Sequence, residues 1–291
     1  MISAYDLHCH STASDGALPP AEVVRRAASL GVKHLALTDH DTVAGIEQAL
    51  ACASEIGIEL ICGVEISATW EDQGFHILGL NIDPKCESLR AGLAQLQKMR
   101  QERAEKIADQ LARHGIQGTL AQVQAMAGEG MITRTHFARW LAEHGYASSV
   151  SAVFEHFLVR GKPGYVATRW VSLEEALGWI LAAKGLAVLA HPLRYQLTAS
   201  QLRRFLTAFQ SLGGMGIEVV CGNSTPAQIE TLADYARRYR LLGSVGSDFH
   251  DPACTWTELG RLAPLPAGVA PVWEAFGPLA GRKLLRESWS G

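Results

Sequence analysis

No apolar run in this 291-residue chain approaches the roughly 20 residues that a membrane-spanning helix needs, so no transmembrane segment is expected. Cysteine is sparse. Cys9, Cys52, Cys62, Cys86, Cys221 and Cys254 are scattered, with no CxxC pair. A core of this size needs no disulfides, so reduced thiols in a cytoplasmic protein are expected. The first residues lack a basic stretch followed by an apolar one, and no secretory signal is expected. There is no P-loop and no GxGxxG after the first strand, which leaves a nucleotide-cofactor Rossmann fold little support. Charge of either sign is not in excess: the net is −3. With no extended basic stripe, duplex DNA and membrane surfaces are not expected partners. No internal repeat is visible.

Hydrophobic residues make up 48% of the chain and charged ones 19%, as in an ordinary globular protein of one large domain or a barrel with an insert. Strand and helix patterns alternate. Strands are expected at Ala4–His8, His34–Thr38, Glu59–Val64, Phe75–Leu80, Leu186–Ala190, Gly216–Val220 and Leu241–Val245, the fourth pairing with the third. Helices are expected from Pro20 to Leu30, Val43 to Ile56, about Glu87 to His114, Leu173 to Lys184, Ser200 to Leu212 and Pro226 to Tyr239, with a last one in the tail. Residues 115–165 break this rhythm with short helices and glycine-rich joints. Strands alternating with helices imply a parallel sheet. Charge is also unevenly spread. From Lys85 to Trp170 there are 12 Lys and Arg against 7 Asp and Glu. A basic middle on an acidic scaffold suits an anionic substrate brought to a cation-binding site.

Six of the 11 histidines fall at strand ends or on one strand face. His8 and His10 alternate to the same face of the first strand. His40, His76, His191 and His250 join them, with the carboxylates Asp15, Glu65 and Asp248. Any one of these reads as a satisfied core or surface residue. Nine convergent ones need cations to offset their charge and suit two or three metals sharing a bridging carboxylate. The C-terminal ends of strands are where a β/α barrel places its chemistry. Asp39 reads as a partner behind the ligands and Asp41 as a helix N-cap.

Asp6-Leu7-His8-Cys9-His10-Ser11 with Ser14-Asp15-Gly16, Thr38-Asp39-His40-Asp41, Gly63-Val64-Glu65-Ile66-Ser67, His191-Pro192 and Ser247-Asp248-Phe249-His250 resemble, in order, the motifs of the PHP (polymerase and histidinol phosphatase) family. The resemblance implies a distorted seven-stranded β/α barrel, (β/α)7 in outline. It implies hydrolysis of a phosphoester with two or three divalent metals, manganese first among manganese, iron, zinc and magnesium. The implied first site is His8, His10, Glu65 and Asp248. The second is Glu65, His76 and His191, and the third Asp15, His40 and His250. Asp15, Asp248 or a histidine such as His191 is the expected leaving-group acid, and the sequence does not choose among them.

The barrel is expected over 1–99 and 166–291, with a helical substrate-binding insert at 100–165. Arg100 falls on the apolar stripe of the long helix, and Arg103 lies one turn before Ile107. Such charges either snorkel or meet an anion. Arg134 and His136 stand at a predicted helix start, where backbone N–H groups and an Arg fork suit phosphate. Lys162 is a weaker candidate. Tyr165, Trp170 and Phe137 are candidate base-stacking residues, although aromatics at such places also build cores. The basic insert resembles the PHP subgroup of 3′,5′-nucleoside bisphosphate phosphatases. That implies removal of a 3′-phosphate to leave a 5′-nucleotide. A histidinol-phosphatase type of monoesterase, and a 5′-3′ exonuclease on short RNA, share the same metal chemistry.

Overall fold

A computed structural model describes residues 2–277. It is an α/β barrel. Strands β1 (Tyr5–Asp6), β2 (His34–Leu37) and β3 (Glu59–Trp70) run parallel and in order. Helices α1 (Pro20–Leu30) and α2 (Ile46–Ile56) cross between them. α1 opens on Pro20, whose missing N–H costs nothing there, and closes on Gly31 in the left-handed region.

The expectation of an all-parallel sheet fails at β4 (Gln73–Leu80). This strand is antiparallel to β3, with Ser67 opposite His76. Glu71 and Asp72, both at positive φ, close the two-residue hairpin. The reversal is what puts His76, an early residue of β4, at the same end of the barrel as the late residues of its neighbours.

Helix α3 (Glu87–Arg113) leads into α4 (Thr119–Ala127), α5 (Arg134–Glu143) and α6 (Val150–Val153), followed by a π-helical turn over Phe154–Leu158. Short β5 (Val171–Ser172) pairs with β3 outside the barrel path. Then come α7 (Leu173–Ala182), β6 (Leu186–Leu189), α8 (Ala199–Ser211), β7 (Gly216–Cys221), α9 (Pro226–Tyr239) and β8 (Leu242–Gly246). The sheet order is β1-β2-β3-β4-β6-β7-β8. Closure runs through backbone bonds at the far edge: Leu7 N–H to Val245 O at 2.9 Å, Asp248 N–H to His8 O at 2.8 Å and His10 N–H to Phe249 O at 2.9 Å. Asp6 secures the seam by accepting the backbone N–H of Ser247 and Gly260. Of the helix expected in the tail, only a 3₁₀ turn over Val272–Ala275 is present among the described residues; the rest lies outside them. No helix there is long and apolar enough to cross a membrane.

Two apolar clusters divide α3. Leu89, Leu93 and Leu96 pack with β3, β4 and α7 in the barrel's outer core. Ala104, Ile107 and Leu111 pack with Val123, Phe137, Leu141 and Leu158 in a separate core. Close approach of α3 to α7 depends on Gly92, where a Cβ would lie 2.2 Å from the Trp179 ring. Gly92→Ala improves helix propensity by up to ~1 kcal/mol, yet overpacking should make the net change a loss of about 1–3 kcal/mol. A urea midpoint that stays put or rises would show that the interface yields.

Candidate metal centre

Because β1 is short, His8 and His10 stand just beyond it, on an extended segment whose Cys9 bridges Phe249 in the stretch that follows β8. The segment turns both imidazoles inward, fully buried, while Cys9 faces outward into the cluster under α1 and α2 and Leu7 joins the apolar cluster inside the barrel. His8 Nε2, His10 Nε2 and Asp248 Oδ1 form a triangle with all three sides 3.2 Å. Glu65 stands over it, Oε1 at 3.4 Å from His8 and Oε2 at 3.4 Å from His10. A tetrahedral ion with ligand bonds of ~2.0–2.1 Å has edges of about 3.3 Å.

Glu65 is the hub. Its Oε1 also lies 2.9 Å from His76 Nδ1 and 2.9 Å from His191 Nε2. Its Oε2 lies 2.8 Å from His40 Nδ1. The implied third set also gathers: Asp15 Oδ1 is 3.4 Å from His250 Nε2 and 3.9 Å from His40 Nε2. Three rings span more than one set, for His8 also groups with Glu65 and His191. His10 turns Nδ1 toward Asp15, and His40 stands between Asp15 and Glu65. All nine sequence candidates therefore converge, with ligand atoms in groups of three or four that lie within 4.8 Å of one another.

The donor set fits divalent cations. His10 Nδ1, Asp15 Oδ1, His40 Nδ1, Glu65 Oε2 and His191 Nδ1 are buried without a hydrogen-bond partner. His40 Nδ1 and Glu65 Oε2 are close yet lack hydrogen-bond geometry, as two lone pairs aimed at a shared ion are. Burial opposes charge throughout. At Asp15, Glu65 and Asp248 the imidazoles, with Arg194 at Asp248, outweigh it and hold the carboxyls well below their usual range. At His40 burial wins and drives the imidazole down to about 4. At His250 burial is outweighed by Asp15 and Asp248, which push it up to about 9. Asp41, His191 and Asp248 all sit at positive φ, so three strand ends bend sharply where the ligands meet.

The PHP-domain family profile matches residues 6–185. The chain belongs to the PHP family. A Haemophilus influenzae relative named 5′-3′ exoribonuclease is 46% identical over 276 residues, spanning 95% of this chain and 100% of that protein. A Chromobacterium violaceum relative named 3′,5′-nucleoside bisphosphate phosphatase is 43% identical over 269 residues, spanning 92% and 94%. The solved structure of a C. violaceum amidohydrolase with bound sulfate and no metal superposes with a TM-score of 0.90 at 42% identity, covering 94% of this chain and 95% of that one.

Around this PHP centre the structure adds residues that the sequence did not single out. Thr133 and Thr135 both donate to Asp15 Oδ2, at 3.0 and 2.8 Å, so the start of α5 grips the metal cluster. Half-exposed Arg194 ion-pairs with Asp248. The Tyr195 hydroxyl meets the His76 backbone N–H at 2.9 Å. Buried Glu218 lies behind His8. Its one sequence signal was a charged residue inside the apolar strand Gly-Ile-Glu-Val-Val.

Asp41 is not a helix N-cap. α2 starts later, at Ile46 after Gly45, because Asp41 is taken by Arg100 Nε at 2.6 Å and by the Ser67 backbone N–H at 2.7 Å. Asp39 does stand behind the ligands, but it holds Ser11 and Ser14 of the Asp15 loop and not an imidazole. His136 closes a capping box at α5: its Nδ1 accepts the Thr133 N–H at 3.1 Å. Burial drives it down to about 4, so it is a neutral cap, with Nε2 as its remaining ring nitrogen.

Arg100, Arg103 and Arg134 do meet, with Thr133 and Phe137, around a cavity of about 10 Å³. Arg100 is committed to Asp41 and Ser67. Arg103 and Arg134 have no ion pair among the described residues, and Arg103 Nε is buried without a partner. Burial and the neighbouring guanidiniums depress both below their ordinary value. Arg100 and Arg103 lie over the Trp170 ring, and Arg134 lies over Phe154. Phe137 is fully buried in the insert core.

Proposed function

We propose that this protein is a metal-dependent phosphatase that removes the 3′-phosphate of 3′,5′-nucleoside bisphosphates, leaving a 5′-nucleotide and inorganic phosphate. The carrying observation is the guanidinium cluster: Arg103 and Arg134, half-buried and without an ion pair among the described residues, line one cavity with Thr133, which donates to Asp15 of the ligand cluster. One phosphate belongs at the ligand cluster and a second at the arginines. Two or three divalent ions, with manganese the first to test, supply charge neutralisation for the phosphoryl group and acidify water. Arg103 and Arg134 bind and orient the 5′-phosphate, and Arg100 adds its charge while holding Asp41. Beside Trp170 a groove of about 500 Å³, lined also by Thr69, Gln95 and Met99, has room for the nucleoside. Asp15, Asp248 and His191 are the groups placed to hold or deliver the leaving-group proton. Residues 100–165 form the substrate-binding insert, and the described parts of 1–99 and 166–291, residues 2–99 and 166–277, form the barrel. Six free, scattered thiols suit the cytoplasm.

The relative named as an exoribonuclease favours a second reading. A short 5′-phosphorylated RNA presents the same 5′-phosphate, with a phosphodiester in place of the terminal 3′-phosphate. Comparing kcat/KM on a 3′,5′-bisphosphate and on such an RNA ranks the two.

Arg134→Ala tests the anion site. A charge-assisted bond is worth ~1.5–3 kcal/mol, so KM for a bisphosphate should rise about 10- to 100-fold, with little change for a nucleoside 3′-monophosphate. Equal changes on both substrates would sink the assignment.

A further inference from the structure

Six of the seven barrel strands end in, or contain, at least one of the nine candidate ligands. β7 contributes none. It contributes Glu218, fully buried, at a register shift between Glu218 and Val220 against β8. Such an irregularity re-aims a side chain. Ile217, Val219 and Val220 pack into the outer core, while Glu218 points into the barrel behind the metal centre. Gly246 of β8 leaves the room: a Cβ there would lie 2.6 Å from Glu218 Oε1 and 2.3 Å from His8 Cβ.

Each carboxylate oxygen has its own partner. Oε1 lies 3.0 Å from His8 Nδ1. Oε2 accepts the backbone N–H of His191 at 2.7 Å. The first contact selects a tautomer: with its proton on Nδ1, His8 presents a lone pair on Nε2, the atom that faces His10, Asp248 and Glu65. The second contact pins a peptide whose residue stands at φ 30°, a conformation that only its surroundings hold.

We propose that Glu218 is a positioning residue that sets two ligands at once, His8 through its tautomer and His191 through its backbone, so that their two metal positions load together. This rests on the metal-dependent reading above. Glu218 touches no substrate atom. Its place behind an imidazole is that of the carboxylate partners which fix ring orientation at metal sites and raise ligand basicity.

The near-isosteric Glu218→Gln separates this from a packing role. Both native partners donate, and an amide offers one accepting oxygen and one donating NH₂. If the oxygen keeps His8, the NH₂ meets the His191 N–H. If the oxygen keeps His191, the NH₂ faces His8 Nδ1 and forces the ring proton onto Nε2, the ligating atom. Chelator competition with Mn²⁺ or Zn²⁺ should show metal affinity about 10- to 100-fold weaker, with two ions lost together and not one. Nitrogen-15 spectra of the imidazoles should show either a His8 tautomer change or a displaced His191 amide. Glu218→Asp, which keeps the charge but reaches only one partner, should fall between, and it carries the test if the Gln variant fails to fold. Wild-type affinity and stoichiometry in a folded Glu218→Gln protein would overturn the proposal. A wild-type protein that takes up no divalent metal would overturn the phosphatase reading as well, which tells the two failures apart.

Discussion

Glu65→Gln should cost at least about 10³-fold in kcat/KM and remove most of the bound metal. Five imidazoles converge on this one side chain: His8, His76 and His191 on Oε1, His10 and His40 on Oε2. Glutamine keeps the volume but replaces one accepting oxygen with a donor. Whichever way the amide turns, its NH₂ points at nitrogens gathered around a cation and has no lone pair to offer it. The change also deletes a negative charge from a fully buried site, which weakens cation binding further. Metal content by elemental analysis and steady-state kinetics on a 3′,5′-bisphosphate give the two readings. Full metal content with kcat within tenfold of wild type would show that Glu65 does not bridge.

The second large effect is on stability. Arg100→Met should lower the free energy of unfolding by about 3–5 kcal/mol. Arg100 is buried on α3, its Nε 2.6 Å from the fully buried Asp41 and its Nη2 2.9 Å from Ser67 Oγ. Methionine restores the apolar stem but leaves the Asp41 carboxylate with the Ser67 N–H as its remaining side-chain bond. The cost is that stranded charge more than the lost attraction. The double variant Arg100→Met/Asp41→Asn should therefore recover part of the loss. Denaturant unfolding of both proteins decides it. A single variant within 1 kcal/mol of wild type, or a double variant worse than the sum of its parts, contradicts a buried pair held by mutual neutralisation. The pair also joins α3 to the residue after His40.

Much of this was open to a reader of the sequence. The HxH segment, the strand-end carboxylates and the period of strand and helix depend on local order along the chain. Each motif brings its own backbone geometry, so the barrel class and the nine candidate ligands could be named before any contact was known. Helix ends at Pro20, Gly31 and Pro226 were equally local. The antiparallel β4 was not, because periodicity shows that a strand exists but not its direction. A tight two-residue hairpin reverses it.

The family resemblance implied which residues share a metal, but which nitrogen of each ring meets which partner was beyond the sequence. His10 and His40 each face two groups because imidazole has two nitrogens, and only the closed barrel sets which partner each nitrogen meets. The same holds for Asp41, a plausible helix cap until α3 delivers Arg100 to it, and for His136, which a capping box claims. Glu218 shows the limit most plainly. Its partners, His8 and His191, are 210 and 27 residues away. Local chemistry along the chain determined what this protein can bind. Tertiary closure decided which atoms do it, because a lone pair acquires its partner only when distant strands meet.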